Sequence, residues 1–325
     1  MKNVGIVSVG KYVPQRVVTN FDLEKLVETS NAWIVGRTGI HERRIAEKHE
    51  RSSHMAVHAA REALKNAKLD AHKVELIIVA TTTPDSAFPS VGCLVQKALS
   101  NKIAAAFDVS AACSGYLYSL TTAKKFIETG MYKNALVIAT DKFTTLLDWN
   151  DRQTCVLFGD GAGACVLAPV RGKRGILSDF LLAHGEFAPL MMVHAQDREP
   201  LSQKDIHVRA PYVTMRGPEL FKIAVNSMSD AVAISVERAG LKVEDIDVVV
   251  PHQANDRIIS AVAKKLRIPK EKFFINIEKY GNMSAAAIAV ALYEAVEQKR
   301  IKRDSNVALV TFGAGLVSAA NVVRW

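Results

Sequence analysis

The segments LDAHKVELII (69–78) and LKVEDIDVVV (241–250) decide the fold, because they correspond at an offset of 172 residues. At the same offset, NALVIA (134–139) corresponds to NVALVT (306–311). Aliphatic runs of this kind are typical of strands buried on both faces. A helical segment separates the two strands in each copy, so the pattern indicates a duplicated αβ unit; the alternative is that buried strands are simply alike in composition. Right-handed crossovers would give each half a mostly parallel sheet within an α/β layer.

The segments around these repeats alternate between helix and strand patterns. Ser52–Lys68 has apolar residues at a helical period, and Val74–Thr83 is a near-continuous β-branched run typical of a buried strand. The pattern further predicts a strand at Ala104–Ser110, a helix at Ser114–Ile127 and a strand at Asn134–Thr140. No Pro-, Gly- or Ser-rich linker interrupts this alternation.

Composition excludes several classes of protein. The chain has 325 residues, 49% hydrophobic and 23% charged, which excludes disorder, collagen and coiled coil. It carries 42 Lys and Arg against 33 Asp and Glu, and this net charge of +9 suits a nucleic acid, a membrane surface or an acidic protein as partner. The four cysteines form no C-x-x-C pair and are too few for a disulfide scaffold, so a zinc ribbon and a disulfide-rich fold are excluded.

The sequence predicts a soluble, cytoplasmic protein. No secretory signal follows Met1, since Lys11 interrupts the short apolar run there. The one uncharged run of nearly membrane-spanning length, Asn306–Val323, contains Gly313 and Gly315 and is better explained by two strands around a glycine turn.

Cys113 is the strongest candidate nucleophile. It lies in DVSAACSGY (108–116), where a predicted strand ends and a helix begins. A helix N-terminus lowers the pKa of a thiol, and the small neighbouring residues leave room for a substrate. The alternative is a small buried hydrophobic residue, which is the usual role of an isolated cysteine. That role is expected for Cys93 in a helical pattern and for Cys155 and Cys165 in apolar, strand-like runs.

His252 and Asn282 are candidate partners of Cys113. His252 follows the predicted strand Ile246–Val250, and open α/β sheets bind ligands at the carboxyl ends of their strands. Asn282 lies in a turn that leads into a helix of small residues. Each residue alone is more typical of a structural histidine and of a turn or cap. The duplicated architecture, however, brings all three to the same end of the core, and a cysteine with histidine and asparagine donors can process thioesters.

Two glycine-rich segments are candidate binding sites. FGDGAGA (158–164) lacks the Gly-Lys-Ser/Thr ending of a phosphate-binding loop, so the sequence disfavours nucleotide-phosphate binding there. FGAGL (312–316) ends a predicted strand, and Gly315 could offer a backbone N–H to an oxyanion. A tight hairpin between two strands explains the second segment equally well.

Taken together, these motifs closely resemble β-ketoacyl-acyl-carrier-protein synthase III, the initiating condensing enzymes of type II fatty acid synthesis in the thiolase superfamily. The resemblance spans nearly the whole chain. It is carried by five ordered motifs: TSNAWIVGRTGIHERR (29–44), the Cys113 segment, DRQT (151–154) with LFGDGAGA (157–164), PHQAN (251–255) and YGNMS (280–284).

The resemblance implies an α/β, thiolase-like five-layered αβαβα fold built from two duplicated halves, residues 1–170 with the nucleophile and residues 171–325 with His252 and Asn282. It also implies a homodimer. The implied reaction is a decarboxylative condensation of an acyl-CoA primer, acetyl-CoA being expected, with malonyl-acyl-carrier protein to give 3-oxoacyl-acyl-carrier protein. No metal or redox cofactor, no nucleic acid and no membrane is expected to take part.

The resemblance assigns site residues by position. Cys113 would be acylated, its N–H and that of Gly315 would receive the oxyanion, and His252 with Asn282 would drive decarboxylation. The remaining assignments fall into two sets. Coenzyme A would contact Thr29, Trp33, Arg37, Arg152 and Asn255, and Phe88 would reach the partner subunit's acyl pocket. Lys222, Arg257, Lys264 and Lys265 match the basic patch that docks the acidic carrier protein, although a solvated helix face is the alternative for such charges.

The sequence departs from the family pattern at three places. Gln153 replaces a small residue beside the nucleotide, and GLVSA (315–319) lacks the common Leu-Thr-Trp-Gly. The segment His184–Arg209, in a region that often shapes the acyl pocket, follows no recognisable pattern. These departures leave primer length and branching open. The alternatives are a related condensing enzyme of quinolone, polyketide or 3-hydroxy-3-methylglutaryl-CoA synthesis and, from another class, a basic nucleic-acid-binding protein, which the low aromatic content of 7% disfavours.

Overall fold

The computed structural model of the protein describes residues 3–193 and 212–325. Within these residues the helices are α1 (Asn20–Leu23), α2 (Asn31–Thr38), α3 (Ser52–Ala67), α4 (Val91–Ala98), α5 (Gly115–Glu128), α6 (Gly217–Arg238), α7 (Asp256–Leu266), α8 (Ile277–Tyr280) and α9 (Ala285–Glu297). The strands are β1 (Val4–Tyr12), β2 (Val17–Thr19), β3 (Glu42–Arg44), β4 (Leu76–Ala80), β5 (Ala105–Val109), β6 (Ala135–Lys142), β7 (Asp160–Pro169), β8 (Gly175–Ala183), β9 (Met191–Val193), β10 (Val213–Met215), β11 (Val248–Pro251), β12 (Asn306–Gly313) and β13 (Val317–Arg324).

Two sheets form the centre of the molecule. The first has the strand order β1-β7-β6-β4-β5 and the second the order β11-β12-β13-β8. In the first sheet β4 is parallel to β5 and β6, and in the second β11 is parallel to β12. The paired repeat segments therefore become equivalent strands, β4 with β11 and β6 with β12, which confirms the duplication that the 172-residue offset indicates. The division into halves at residue 170 stays a prediction.

The helices complete five layers. α3 and α4 cover the outer face of the first sheet, and α6 covers the outer face of the second with α7 beside it. Between the sheets lie α5 and α9, whose side chains join both sheets in one buried cluster. The predicted αβαβα architecture is thus confirmed. The two central helices begin at Gly115, two residues after Cys113, and at Ala285, directly after Ser284, so the layer between the sheets positions the site.

The glycine run after Phe158 serves close packing. A Cβ atom on Gly163 would lie 2.5 Å from Cβ of Ala289, so this glycine lets the central helix α9 rest directly on β7. The carboxylate of Asp160 accepts hydrogen bonds from the backbone N–H groups of Ala46 and Thr144 and from the Thr144 hydroxyl. Both observations support the prediction that this segment is structural and does not bind phosphate.

Several predicted boundaries differ from the structure. The runs 74–83 and 104–110 shorten to five-residue strands, because their ends leave the sheet for loops that carry polar residues of the site. Cys155, predicted in a strand-like run, lies in a series of turns instead; it is buried there against apolar neighbours that include Ile34 and Val156. Of the segment 184–209, residues 185–193 form a short 3₁₀ helix and β9, and residues 194–209 lie outside the described residues. No helix among the described residues is long and apolar enough to cross a membrane.

Candidate active site

Cys113 lies at the point where the first sheet leads into the central helix layer. β5 ends at Val109, and a 3₁₀ turn over Ala112–Ser114 continues into α5. Ala112 has φ of 43°, a left-handed conformation that non-glycine residues seldom adopt and that is common where a turn presents a functional group. Gly313, at the end of β12, makes room for this turn, since a Cβ there would lie 2.8 Å from the Cys113 nitrogen. The conformation of the Cys113 turn, which follows β5 of the first sheet, therefore depends on its close contact with β12 of the second sheet.

The ionisation of Cys113 differs from the sequence expectation. Burial raises the pKa of this thiol to about 12, and the hydrogen bond with Ser284 only partly opposes that rise. The helix N-terminus was expected to make the sulfur a ready thiolate, but a buried sulfur loses more hydration than the helix returns. That expectation is wrong for the resting protein, in which Cys113 is a neutral thiol.

Two polar residues beside Cys113 were missed by the sequence analysis. Sγ of Cys113 lies 3.8 Å from Oγ of Ser284, which is fully buried. Asp141, at the end of β6, is also fully buried, and its Oδ1 accepts hydrogen bonds from Thr82 N–H and from the hydroxyls of the consecutive threonines Thr81, Thr82 and Thr83. Its Oδ2 accepts the N–H of Ala285 at 3.3 Å. The pairing of β4 with β6 brings the three threonines to Asp141. The sequence of either segment alone does not show this contact.

His252 directly follows β11, as predicted. Its backbone N–H donates to the Val310 carbonyl at 2.8 Å, which fixes it beside the end of β12. The side chain is 2% exposed, and burial lowers the pKa of the imidazole to about 4, so the ring is neutral at physiological pH. Its Nδ1 atom is buried without a protein partner among the described residues. A neutral ring of this kind can donate one N–H to a substrate without carrying a charge.

Asn282 has its amide orientation set by the neighbouring backbone. Oδ1 accepts the N–H of Ser284 at 2.9 Å, so the NH₂ group remains available to a ligand. The Asn282 backbone is held in both directions, since its N–H donates to Leu157 and its carbonyl accepts from Gly159. The side chain is 6% exposed and is therefore firmly held where the turn enters α9.

Two adjoining cavities reach Cys113. Cys113, His252 and Asn282 all line one of them, together with Asn255 and the Phe312–Gly313 strand end. The other is mostly apolar and is lined by Cys113, Ser284, Phe143, Leu146 and residues of β9 and β10. The structure thus brings the three predicted catalytic side chains to one cavity, and a second, mostly apolar cavity also reaches Cys113.

At the turn over residues 313–315, the residue that lines a cavity is Ala314, next to the predicted oxyanion donor Gly315. Ala314 lines the apolar cavity beside Cys113, whereas Gly315 lines neither of the two described cavities. Gly315 has φ of 135°, a conformation that favours glycine. A Cβ atom at this position would lie 3.1 Å from Cγ1 of Val317. The assignment of Gly315 as an oxyanion donor stays a prediction, and Ala314, which lines the cavity, is the alternative donor in the same turn.

Comparison with known proteins identifies the family. The models "3-Oxoacyl-[acyl-carrier-protein (ACP)] synthase III" and its C-terminal counterpart match residues 107–185 and 236–325. A β-ketoacyl-[acyl-carrier-protein] synthase III from Caldanaerobacter subterraneus is 47% identical over 322 residues, covering 99% of this chain and 97% of that protein. The crystal structure of the synthase III from Aquifex aeolicus superimposes with a TM-score of 0.93 at 48% identity, covering 99% of this chain and 100% of that one. The chain belongs to the β-ketoacyl-acyl-carrier-protein synthase III family. It is an acyltransferase of the condensing type that initiates fatty acid synthesis.

A priming β-ketosynthase from the R1128 polyketide pathway is also similar, at 32% identity with a TM-score of 0.92, covering 99% of this chain and 96% of that one. Because synthase III relatives match at higher identity, the comparison favours fatty acid synthesis over the polyketide alternative.

The residues that the synthase III resemblance assigns to coenzyme A form an exposed cluster around Trp33. The guanidinium carbons of Arg37 and Arg152 lie 5.4 Å and 5.7 Å from the Trp33 ring. Arg152 also donates to the Glu28 carbonyl at 3.1 Å. Two cations stacked on an indole offer both a flat surface and positive charge, which suit a purine and its phosphates.

The assigned set also includes Thr29, Asn255 and Phe88. Thr29 has a buried hydroxyl with no protein partner among the described residues. Asn255 connects the two regions, because its Nδ2 donates to the Arg37 carbonyl at 3.0 Å while the residue lines the Cys113 cavity. Phe88 is 85% exposed and lies apart from both, on a loop between β4 and α4.

The predicted basic patch lies on α6 and α7. Arg257 and Lys264 are exposed on α7, and Lys222 is exposed on α6. Lys265 differs from them, because its Nζ donates to Asn226 at 2.8 Å and lies 3.5 Å from the Asp230 carboxylate. Three of the four cations therefore point to solvent, while the fourth helps to join the two helices.

Proposed function

We propose that the protein condenses an acyl-CoA primer, with acetyl-CoA as the expected substrate, with malonyl-acyl-carrier protein to give 3-oxoacyl-acyl-carrier protein. The observation that carries this proposal is the meeting of Cys113, His252 and Asn282 at one cavity. A nucleophile and two hydrogen-bond donors at one position serve both acyl transfer and decarboxylation.

In the first half-reaction the sulfur of Cys113 attacks the thioester carbon of the primer, and CoA leaves as the thiol. The backbone N–H of Cys113 and that of Gly315, or alternatively of Ala314, receive the oxyanion that forms. The acyl chain then occupies the apolar cavity, where Phe143 and Leu146 offer hydrocarbon contact. Primer length and branching depend on this cavity.

In the second half-reaction malonyl-acyl-carrier protein loses CO₂, and negative charge develops on the thioester oxygen. His252 and the free NH₂ group of Asn282 donate to that oxygen. The lowered pKa of His252 supports this role, because a neutral imidazole gains most from the interaction as charge develops, and so favours the transition state over bound substrate. The resulting carbanion attacks the acyl carbon on Cys113, the bond from that carbon to Sγ breaks, and the sulfur leaves as a thiolate that takes up a proton to restore the free enzyme. No metal or redox cofactor enters this scheme.

The proposed route for coenzyme A runs from the Trp33 cluster to Cys113. The adenine would stack at Trp33 with the phosphates near Arg37 and Arg152, and the pantetheine would pass Asn255, whose side chain joins both regions. Thr29 would complete the adenine end with its unpaired buried hydroxyl.

The carrier protein is proposed to dock on α6 and α7. Acidic carrier proteins would be attracted by Lys222, Arg257 and Lys264, which are exposed, and less by Lys265, which Asp230 partly neutralises. Such a patch acts mainly on the rate of encounter. Nucleic acid and membrane are not proposed as partners, and a cytoplasmic location stays a prediction of the sequence.

A homodimer is proposed from the edge of the first sheet. Within the described residues β5 pairs on one side only, with β4, and its residues are half-buried. Exposed apolar residues lie around it, namely Ile103 at 65% and Phe88 at 85%. An unpaired edge flanked by apolar side chains suits pairing with a second copy, which would bring Phe88 to the partner's acyl cavity.

The proposal is tested by incubating the protein with acetyl-CoA and malonyl-acyl-carrier protein and measuring the mass of the carrier-protein product. A 3-oxoacyl product, with the transient acyl group mapped to Cys113 by peptide mass spectrometry, is expected. The Cys113→Ala variant is the matched control. Absence of product, or acylation of Cys155 or Cys165, would contradict the assignment. A series of longer and branched acyl-CoAs in the same assay defines the primer.

A further inference from the structure

The buried polar contacts of Cys113 define a group that the proposed scheme does not use. Among the described residues, the side-chain hydrogen-bond partner of Sγ is Oγ of Ser284 at 3.8 Å. The N–H of Ala285, the residue after Ser284, donates to Oδ2 of Asp141 at 3.3 Å, and this carboxylate is fully buried at the end of β6. The sulfur, the Ser284 hydroxyl and the Asp141 carboxylate therefore lie buried around the start of α9.

The segment that carries Ser284 is held in an unusual conformation. Ser284 has φ of 52° and ψ of −130°, a region that residues with a side chain seldom occupy. Two side chains fix it there, because Ser284 N–H donates to Asn282 Oδ1 at 2.9 Å and Ala285 N–H donates to Asp141 Oδ2 at 3.3 Å. A conformation this costly persists only where neighbouring groups enforce it, and its effect here is to place the hydroxyl at the sulfur.

Asp141 is held by several hydrogen-bond donors. Four donors from Thr81, Thr82 and Thr83 converge on Oδ1 at 2.8–3.2 Å. Burial nevertheless raises the pKa of this carboxyl, and its negative field raises the pKa of the Cys113 thiol. The hydrogen bond with the Ser284 hydroxyl acts in the opposite direction and lowers the pKa of the thiol.

We propose that Ser284 is a catalytic residue that stabilises the Cys113 thiolate by a hydrogen bond, and that Asp141 is a positioning residue that holds the Ser284 segment through the Ala285 N–H. When the sulfur is a thiol, the Ser284 hydroxyl accepts a hydrogen bond from it. When the sulfur is ionised, the same hydroxyl turns to donate to it. This inference deepens the proposed function, on which its catalytic meaning rests.

The other titratable groups near Cys113 do not account for this arrangement. His252 lines the same cavity and is neutral because burial lowers its pKa. Tyr116, in the first turn of α5, has a buried hydroxyl with no hydrogen-bond partner among the described residues. Ser284 is therefore the side chain that contacts the sulfur, and Asp141 acts through the Ser284 segment.

The experiment follows alkylation of Cys113 by iodoacetamide at pH 8, with peptide mass spectrometry to separate it from the exposed Cys93. It needs no substrate, so it succeeds or fails independently of the condensation assay. Ser284→Ala and Ser284→Gly both remove the hydroxyl, and glycine also relieves the unusual φ. Circular dichroism on each variant verifies that it is folded.

Both Ser284 variants are expected to alkylate about 3- to 10-fold more slowly. A hydrogen bond to a charged group is worth roughly one to two pH units of thiol ionisation, and the greater nucleophilicity of the more basic thiolate offsets about half of that. Asp141→Asn is expected to alkylate more slowly as well, because an amide in place of the carboxylate leaves either the threonine donors or the Ala285 N–H without an acceptor, and it is expected to add no further loss to Ser284→Ala. Equal rates for wild type and both Ser284 variants would overturn the role of Ser284. A folded Asp141→Asn variant that alkylates at the wild-type rate or faster, or that slows the Ser284→Ala variant further, would overturn the role of Asp141.

Discussion

Replacing Arg43 with methionine is expected to lower the free energy of unfolding by about 3 kcal/mol. This side chain is fully buried and has no carboxylate partner among the described ion pairs. Its NH1 donates to the Val18 carbonyl at 3.2 Å and to Asn20 Oδ1 at 2.9 Å, and its NH2 donates to the Val156 carbonyl at 2.7 Å. Arg43 thus joins three separate segments of chain beside the Trp33 cluster.

The magnitude follows from two opposing contributions. Each buried acceptor left without a donor costs about 1–3 kcal/mol, so three acceptors cost roughly 3–9 kcal/mol. The opposing contribution is that the uncharged methionine avoids the free-energy cost of burying a charged guanidinium. Burial lowers the pKa of Arg43 from 12.5 to about 10, which corresponds to roughly 3 kcal/mol recovered on its removal. The difference centres on a loss of about 3 kcal/mol.

The assay is thermal unfolding by differential scanning calorimetry at one protein concentration. With about 2.1 cal/mol/K of unfolding entropy per residue and 325 residues, a loss of about 3 kcal/mol lowers Tm by about 4 °C. Arg44→Met is the matched control, because Arg44 is partly exposed and its ion pair with Glu42, at 3.5 Å, contributes at most about 1 kcal/mol. If both variants unfold at the same temperature, the hydrogen bonds of Arg43 do not stabilise the fold as argued.

Three further predictions concern packing, pH and charge. Gly163→Ala is expected to lose about 1–3 kcal/mol of stability in urea unfolding, since the new methyl group would overlap α9, whereas Gly36→Ala, with open space around it, is expected to lose none. Because the folded-state pKa of His252 is lowered to about 4, the unfolded chain binds a proton first as pH falls below about 6.5. Stability should therefore fall by up to about 3 kcal/mol between pH 6.5 and 4, and His252→Gln should remove that part of the slope; an unchanged slope would contradict it. Reversing Arg257 and Lys264 to glutamate is expected to raise KM for malonyl-acyl-carrier protein severalfold, with little change for acetyl-CoA, and unaltered carrier kinetics would refute the docking patch.

The sequence predicts those parts of the structure that local periodicity determines. The strands around residues 76–80 and 248–251 and the helices α3 and α5 lie where their apolar spacing places them. His252 and Asn282 were found for the same reason, since each ends a predictable element. The duplication predicts that the two residues lie at the same end of the core, which the sequence of a single αβ unit does not show.

The parts that were missed depend on contacts between distant segments. Asp141 ends a strand like many others, and its role appears only when β4 brings three threonines to it. Arg43 lies in the motif at residues 29–44, yet the neighbouring sequence does not show that its guanidinium is buried. The pKa of Cys113 was predicted in the wrong direction, because the helix N-terminus is visible in a sequence and the depth of burial is not.

The central claim, that His252 and Asn282 serve decarboxylation while Cys113 carries the acyl group, is tested most directly by measuring both half-reactions in the same variants. His252→Ala and Asn282→Ala are each incubated with acetyl-CoA, for acyl-enzyme by intact mass, and with labelled malonyl-acyl-carrier protein, for CO₂ release. Because one preorganised donor is worth about 100- to 1000-fold in rate, each variant should release CO₂ slower by that factor while still forming acyl-Cys113. Normal CO₂ release by either variant together with failure to acylate Cys113 would reverse the assigned roles and contradict the mechanism.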